Sequence, residues 1–217
     1  MQEIEAVIFD MDGVLVNSEP YYFDRRREYF QQVGLHLTEQ QLLDLVGGNL
    51  RDLWPQLLPG RTAAQYQQLQ DGYRDYKAAD PIDYRKRVNP DAKPTLDWLH
   101  AHDFKVGLAS SSDLNAINAM LTANHFEDEF DVVVSGMSFT RSKPDPEIYL
   151  NTMQQMHVAP EQAMAVEDSE TGIAAGEAAG MTVAALAPMD ARFTDSQAAA
   201  DLHIQHLTDL ETILRRP

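Results

Sequence analysis

Residues 6–15 have the sequence AVIFDMDGVL, an apolar run that stops at two aspartates separated by one residue. The run Ala6–Phe9 does not alternate apolar and polar residues, which is typical of a strand buried on both faces of a parallel sheet. Asp10 and Asp12 then lie on a turn that leaves the strand, and Gly13 permits a tight backbone path there. An isolated pair of this kind also fits an Asx turn with a structural role only.

Four later runs have the same apolar character and indicate further strands. They are Val106–Ala109, Val132–Val134, Met164–Val166 and Thr182–Leu186. Helical patterns separate them: one follows Ser112, a candidate N-cap, one begins at Asp145-Pro146, and one extends from Ser169 to Gly180. This alternation predicts an α/β fold with a doubly wound parallel sheet, a Rossmann-like core.

The distribution of charge and of aromatic residues indicates an inserted module. The 217 residues carry a net charge of −17, yet residues 17–88 contain ten basic and ten acidic residues. The same segment holds seven of the eight tyrosines and eight of the twelve arginines, and its apolar spacing is helical. We therefore predict a catalytic core of residues 1–16 and 89–217, with an α-helical cap of residues 17–88.

Composition also excludes several classes of protein. A net charge of −17 argues against a broad nucleic-acid surface or an anionic-membrane surface, since both require clustered Lys and Arg. No apolar run approaches the ~20 residues of a membrane span, and no export signal is evident at the start. Without cysteine there is no thiolate metal site and no catalytic thiol. We expect a cytoplasmic monomer that binds neither nucleic acid nor membrane.

Polar residues lie where the predicted strands end, which is where ligands bind in such sheets. They are Asp10 and Asp12, Ser110 and Ser111, and Glu167 and Asp168, with Lys143 in the loop before a helix. Phosphoryl transfer needs a nucleophile, a proton donor and neutralising charge, for which Asp10, Asp12 and Lys143 are candidates. Because an acidic pocket repels a phosphate dianion, we also expect Mg²⁺, held by Asp10, Asp168 and the backbone carbonyl of Asp12.

Four segments in this order resemble the motifs of the haloacid dehalogenase-like superfamily. They are Asp10–Leu15, Leu108–Ser112, Ser142–Pro146 and Val166–Ser169, and they span nearly the whole chain. A helical insertion directly after the first motif resembles the β-phosphoglucomutase-like subgroup, which includes many sugar-phosphate phosphatases.

The resemblance implies a role for each matching position. Asp10 would form an aspartyl-phosphate, and Asp12 would protonate the leaving alcohol and then deprotonate water. Lys143, with Ser110 and Ser111, would hold the phosphoryl oxygens. Asp168 would ligate the metal, and Glu167 would act through a water or orient Lys143. Asp12 also separates this chain from the dehalogenases of the superfamily, which lack a carboxylate at that position.

Two alternatives to a phosphatase remain open at this stage. Mutase members of the subgroup carry a histidine where this chain has Tyr22, which favours water as the final acceptor and leaves a hexose-phosphate mutase as the alternative. A phospho-receiver module uses similar residues but places its aspartate mid-chain in a shorter protein. Within the cap, Arg51 and Tyr22 are candidates for substrate contact.

Overall fold

A computed structural model describes residues 3–45 and 50–215, without the side chains of Arg51 and Asp52. The chain divides into two compact units, one made of Met1–Asn17 with Asp83–Pro217 and the other of Ser18–Ile82. Residues 83–88 belong to the first unit, because Tyr84 is buried and the Arg85 Nε donates to the carbonyl oxygen of Ala123 at 3.1 Å. The functional cap of residues 17–88 stays a prediction.

The second unit is helical around an aromatic core. Its helices are α1 (Glu19–Gln32), α2 (Glu39–Leu43), α3 (Leu50–Leu57) and α4 (Ala63–Ala79). The fully buried Trp54 ring lies 5.4 Å from the ring of Phe30 and 6.3 Å from that of Tyr29. Thr38 and Thr62 begin α2 and α4 with capping boxes, so the ends of these helices are fixed by their own side chains.

The first unit is built on a parallel sheet, as predicted. In the described residues its strands are β1 (Ala6–Phe9), β2 (Lys105–Ser110), β3 (Val132–Ser135), β4 (Ala163–Glu167), β5 (Thr182–Leu186) and β6 (Leu202–Ile204). They lie in the order β3-β2-β1-β4-β5-β6, and every neighbouring pair is parallel. The direction of winding reverses between β1 and β4, and a ligand crevice forms at the carboxyl ends beside such a point.

Burial on both faces explains the uninterrupted apolar runs of the central strands. No residue of β1 or β4 is more than 1% exposed. Each fully buried Val, Ile or Phe side chain contributes roughly 1.5–3 kcal/mol through apolar burial, so these strands form the rigid base under the loops that follow them.

The helices of the first unit cover the sheet. They are α5 (Ala92–Ala101), α6 (Leu114–Asn124), α7 (Glu147–Met156), α8 (Glu170–Ala178) and α9 (Asp209–Ile213). Ser169 caps α8, and Gly180 follows its end with a φ of +79°, as predicted. The predicted starts of the helices α6 and α7 are each displaced by one residue.

The start of α6 corrects the predicted N-cap. The carboxylate of Asp113, and not the hydroxyl of Ser112, accepts the Ala116 N–H at 3.0 Å. At α7 the N-cap position is Pro146, while the Asp145 carboxylate accepts the Glu147 N–H at 3.1 Å. Among the helices of the described residues, none has the length and apolarity to cross a membrane.

Candidate active site

The carboxyl ends of β1, β2 and β4 bring the predicted site residues to one edge of the sheet. Asp10 follows β1 directly, Ser110 is the last residue of β2, and Glu167 is the last residue of β4. Lys143 lies in the segment between β3 and α7. Because β2, β1 and β4 are neighbours, the loops that leave them share one crevice.

Lys143 joins two carboxylates at the centre of this crevice. Its Nζ donates to Asp10 Oδ1 at 2.7 Å, to Glu167 Oε1 at 2.7 Å, and to the carbonyl oxygen of Ala109 at 2.9 Å. The side chains of Lys143, Asp10 and Glu167 are 6%, 11% and 1% exposed. One ammonium group thus faces two nearly buried carboxylates, and the cluster carries an excess of negative charge.

The electrostatics of the cluster follow from burial and from this imbalance. Burial raises the pKa of Asp10 to about 7; Lys143 opposes the rise, while Glu167 and Asp12 add to it. Burial acts to lower the pKa of Lys143, but Asp10 and Glu167 outweigh it, so this pKa lies well above its usual value. Lys143 therefore stays charged, and in the metal-free protein Asp10 takes up a proton near neutral pH.

Tyr149, which is not among the predicted site residues, completes the cluster. Its hydroxyl donates to Glu167 Oε1 at 2.5 Å and accepts from Lys143 Nζ at 3.3 Å. Burial raises the pKa of Tyr149 well above its usual value, and Glu167 adds to the rise. A signal was present, because a tyrosine inside the apolar stripe of α7 needs a buried partner for its hydroxyl.

A group of three carboxylates beside Lys143 has the geometry to hold a metal ion. Asp10, Glu167 and Asp168 each offer one oxygen, and these oxygens lie within 4.8 Å of one another. The Asp12 carboxylate does not belong to this group and accepts instead from Ser112 Oγ at 2.8 Å. The ligand predicted from Asp12 is its backbone carbonyl, and that role stays a prediction.

Two glycines let the backbone approach these carboxylates closely. Gly13 has a φ of +84°, and a Cβ atom placed there would overlap the Asp168 carboxylate. A Cβ atom at Gly172 would overlap the carboxyl group of Glu167. The glycines therefore make room for the carboxylate that ends β4 and for the one directly after it.

The last residue of β2, Ser110, and the two serines that follow it differ in their surroundings. Ser110 is 1% exposed, and its Oγ accepts the N–H of Ser112 at 3.1 Å. Its hydroxyl hydrogen is thereby directed away from that N–H and is suited to donate to a ligand. Ser111 is exposed, whereas Ser112 donates to Asp12. The predicted roles of Ser110 and Ser111 in phosphate binding stay predictions.

The segment after β5 supports the loop that carries Asp168. Gln197 Nε2 donates to the carbonyl oxygens of Asp168 at 2.8 Å and Leu186 at 2.7 Å. The Asp195 carboxylate accepts the first N–H of α8, from Glu170, at 2.8 Å. These residues could not be predicted, since nothing in the local sequence pattern links them to Asp168.

The structure describes only one side chain of the two candidates for substrate contact in the cap, Tyr22 and Arg51. Tyr22 lies on α1 and is half-buried, with Lys77 Nζ 5.4 Å from the centre of its ring. The side chain of Arg51 falls outside the described part of the chain, as do residues 46–49. Leu50 already begins α3. Contact of either side chain with substrate stays a prediction.

Comparison with known proteins decides the family. The sequence model of the haloacid dehalogenase-like hydrolases matches residues 7–186, most of the chain. The chain belongs to this family. Its matched region begins in β1, ends with β5 and includes the insertion, so this haloacid dehalogenase-like hydrolase carries every segment on which the resemblance in sequence depends.

Similar proteins lie within the β-phosphoglucomutase-like subgroup. A phosphorylated carbohydrates phosphatase of Thermotoga maritima is 32% identical over 82% of both chains. Hexitol phosphatase B of Escherichia coli is 27% identical over 96% of this chain and 95% of its own. A β-phosphoglucomutase of Bacillus subtilis is 30% identical over 82% and 81%. The family fold is also that of the β-phosphoglucomutase of Clostridium difficile, with a TM-score of 0.78, 24% identity and coverage of 98% and 100%.

Proposed function

We propose that this chain is a Mg²⁺-dependent phosphatase that hydrolyses small phosphorylated metabolites, chiefly sugar and polyol phosphates, through an aspartyl-phosphate on Asp10. The observation that carries the proposal is the contact of Lys143 Nζ with both Asp10 and Glu167 beside the third carboxylate, Asp168. The activities of the carbohydrate phosphatase and of the hexitol phosphatase support this substrate class.

In the first step an oxygen of Asp10 attacks the phosphorus of the ester, and the bond from phosphorus to the alcohol oxygen breaks. The departing alkoxide takes a proton from Asp12, which acts as the general acid. Lys143 remains charged beside Asp10 throughout, because its pKa lies well above the usual value. Ser110 and Ser111 donate to the phosphoryl oxygens.

In the second step water attacks the phosphorus, and Asp12 accepts a proton from that water as the general base. The bond between phosphorus and the Asp10 oxygen breaks, so inorganic phosphate leaves and the Asp10 carboxylate is restored. Proton loss and proton gain at Asp12 balance over the cycle. The same carboxylate therefore serves both half-reactions.

The donor set fits Mg²⁺. Three carboxylates within 4.8 Å offer the hard oxygen ligands that this ion prefers, and their charge exceeds that of Lys143. Asp10 and Asp168 would be ligands, together with the Asp12 carbonyl, while Glu167 is held by Lys143 and Tyr149. When bound, Mg²⁺ supplies positive charge that offsets the repulsion between the phosphate and the carboxylates.

Hexose-phosphate mutase activity is the second candidate, since the Bacillus subtilis relative is a β-phosphoglucomutase. Tyr22 stands where mutases of the subgroup carry a histidine, which favours water as the acceptor. Product analysis separates the two: a phosphatase releases one inorganic phosphate per ester consumed, whereas a mutase converts one sugar phosphate isomer into another. We further propose a monomer in the cytoplasm, which sedimentation and cell fractionation test.

A screen of phosphorylated metabolites with phosphate detection tests the proposal. We expect turnover of sugar or polyol phosphates with Mg²⁺, its loss in EDTA, and recovery when Mg²⁺ is restored. Asp10→Asn abolishes turnover, whereas Asp97→Asn, at an exposed carboxylate on α5, retains it. Unchanged turnover in Asp10→Asn would defeat the mechanism.

A further inference from the structure

Ser112 lies between the proposed acid–base group and the end of β3. Its Oγ donates to Asp12 Oδ2 at 2.8 Å, and its carbonyl oxygen accepts from Ser135 Oγ at 2.7 Å. The two bonded side chains come from different loops, since Asp12 follows β1 and Ser112 follows β2. The contact therefore fixes one loop of the crevice against another.

The backbone of Ser112 is itself held in place. Its N–H donates to the buried Ser110 Oγ at 3.1 Å, and Ser135, 3% exposed, pairs with Ser110 in the sheet register. The next residue, Asp113, caps α6, so the turn is anchored on both sides. A hydroxyl on such a backbone has little freedom, and its direction is set before any ligand arrives.

We propose that Ser112 is a positioning residue for proton transfer by Asp12, an inference that rests on the proposed function. Its hydroxyl binds Oδ2, which assigns to Oδ1 the proton that is given to the leaving oxygen and later taken from water. In the first step the Oδ1–H bond breaks and the bond from hydrogen to the leaving oxygen forms, while the Asp10 oxygen bonds to phosphorus and the bond from phosphorus to the leaving oxygen breaks. In this role Ser112 acts through Asp12 alone.

Impaired proton transfer by Asp12 can be distinguished from general structural damage, because only the former makes the rate depend more strongly on the leaving group. p-Nitrophenolate is a weak base and leaves phosphorus without needing a proton, whereas unsubstituted phenolate is a stronger base and benefits from one. The two esters have the same phosphoryl group and nearly the same shape. A variant that is impaired only in the general acid therefore loses more of its rate of phenyl phosphate hydrolysis than of its rate of p-nitrophenyl phosphate hydrolysis.

The test measures kcat/KM for both esters with saturating Mg²⁺, because this constant reports on the steps through departure of the first product. Ser112→Ala lowers kcat/KM about tenfold for phenyl phosphate and about twofold for p-nitrophenyl phosphate. Ser112→Thr keeps a hydroxyl and restores the wild-type ratio. Ser135→Ala, which removes the bond to the Ser112 carbonyl together with the bond accepted from the Met137 N–H, changes the ratio in the same direction by a smaller factor.

The neighbouring serine is the matched control. Ser111→Ala removes a proposed donor to the phosphoryl group that both esters share, so both constants fall by one factor and their ratio stays at the wild-type value. Equal losses on the two esters in Ser112→Ala, or a Ser112→Thr variant that behaves like Ser112→Ala, would overturn the assignment while the phosphatase stands. A wild-type protein that releases phosphate from neither ester would overturn the proposed function itself, and the assignment with it.

Discussion

Asp10 gives the metal-free protein a specific dependence of stability on pH. Its pKa is about 7 in the folded protein and near 3.8 in an unfolded chain, so between these values the folded state holds a proton that the unfolded state has lost. The contribution of Asp10 to the free energy of unfolding therefore falls as pH rises from about 4 to about 7, by at most about 1.4 kcal/mol per pH unit.

Comparison of Asp10→Asn with wild type isolates this effect. In EDTA, we expect the variant to gain stability relative to wild type as pH rises from 5 to 8, because the amide has no charge to bury. Urea unfolding across this range measures the difference. Asp97→Asn, at an exposed carboxylate, should follow wild type at every pH. Parallel curves for wild type and Asp10→Asn would contradict the account of the pKa.

Removal of the central cation should destabilise the fold. Lys143→Met leaves Asp10 and Glu167 as unpaired carboxylates that are nearly buried, at a cost of about 3–5 kcal/mol at pH 8. The cost is smaller at pH 5, where a carboxyl group with a raised pKa takes up a proton. Urea unfolding in EDTA measures both values.

The double variant Lys143→Met with Glu167→Gln provides the control for that prediction. Because it removes one of the two unpaired charges, it should recover part of the stability lost at pH 8. If Lys143→Met alone unfolded at the wild-type urea concentration at both pH values, the pairing of Lys143 with Asp10 and Glu167 would not stabilise the fold.

The site residues that lie at the ends of strands can be predicted from the sequence alone. Those that long-range contacts bring into the site cannot. Asp10 and Glu167 could be predicted because each ends an apolar run. Ser112 could not, because serine at a helix start usually has a local role. Tyr149 signals that its hydroxyl needs a buried partner, but not which one, and Gln197 could not be predicted because glutamine in a loop usually has a local role. Their partners lie 100, 18 and 29 residues away in the chain.

At the scale of elements, the strands with continuous apolar runs are confirmed, and the missed strand lacks such a run. β6 has three residues, and His203 at its centre is exposed. It lies at the edge of the sheet, where it pairs with β5 on one side only. The displaced start of α6 has a similar cause, since both Ser112 and Asp113 are suitable caps and the bond from Ser112 to Asp12 decides between them.

The turn after β1 can be tested by substituting its glycine. Gly13→Ala combines backbone strain at a φ of +84° with overlap of the Asp168 carboxylate, so it should cost about 1–2 kcal/mol or more and weaken Mg²⁺ binding at least tenfold. Urea unfolding measures the stability, and titration of Mg²⁺ against thermal stability measures binding.

The chain offers matched controls for Gly13. Gly34 and Gly60 have φ values of +82° and +81°, yet a Cβ atom at either would meet nothing within 4 Å. Alanine at these positions should cost only about 1 kcal/mol and leave Mg²⁺ binding unchanged. If Gly13→Ala bound Mg²⁺ as tightly as Gly34→Ala, the close approach of this turn to Asp168 would have no role in the site.

At the scale of the whole molecule, the chain segments that lead into and out of the inserted unit are hydrogen-bonded to each other within the first unit. Val16 forms an antiparallel bridge with Val88, the Asn17 N–H donates to the Arg87 carbonyl at 2.7 Å, and the Asn89 N–H donates to the Leu15 carbonyl at 2.8 Å. The whole sheet is contained in this unit. Closing the chain across the insertion therefore requires no change in the core.

Replacement of residues 18–82 by a short Gly-Ser linker should consequently leave a core that folds. We expect a single cooperative thermal transition and stabilisation by Mg²⁺, because all three carboxylates of the proposed metal site remain. The helical unit is the predicted cap, so discrimination among sugar phosphates should be lost. A noncooperative transition without a response to Mg²⁺ would show that the core depends on the insertion.

The central claim is that Asp10 becomes phosphorylated, and acid-quench labelling tests it most directly. Asp12→Ala removes the general base of the second step. The first step still proceeds with p-nitrophenyl phosphate, because its leaving group needs no general acid, so the phosphoenzyme accumulates. With radiolabelled p-nitrophenyl phosphate and Mg²⁺, the account predicts label on the peptide that contains Asp10, sensitive to hydroxylamine and absent from Asp10→Asn/Asp12→Ala. Label on another residue, or equal labelling of both variants, would contradict it.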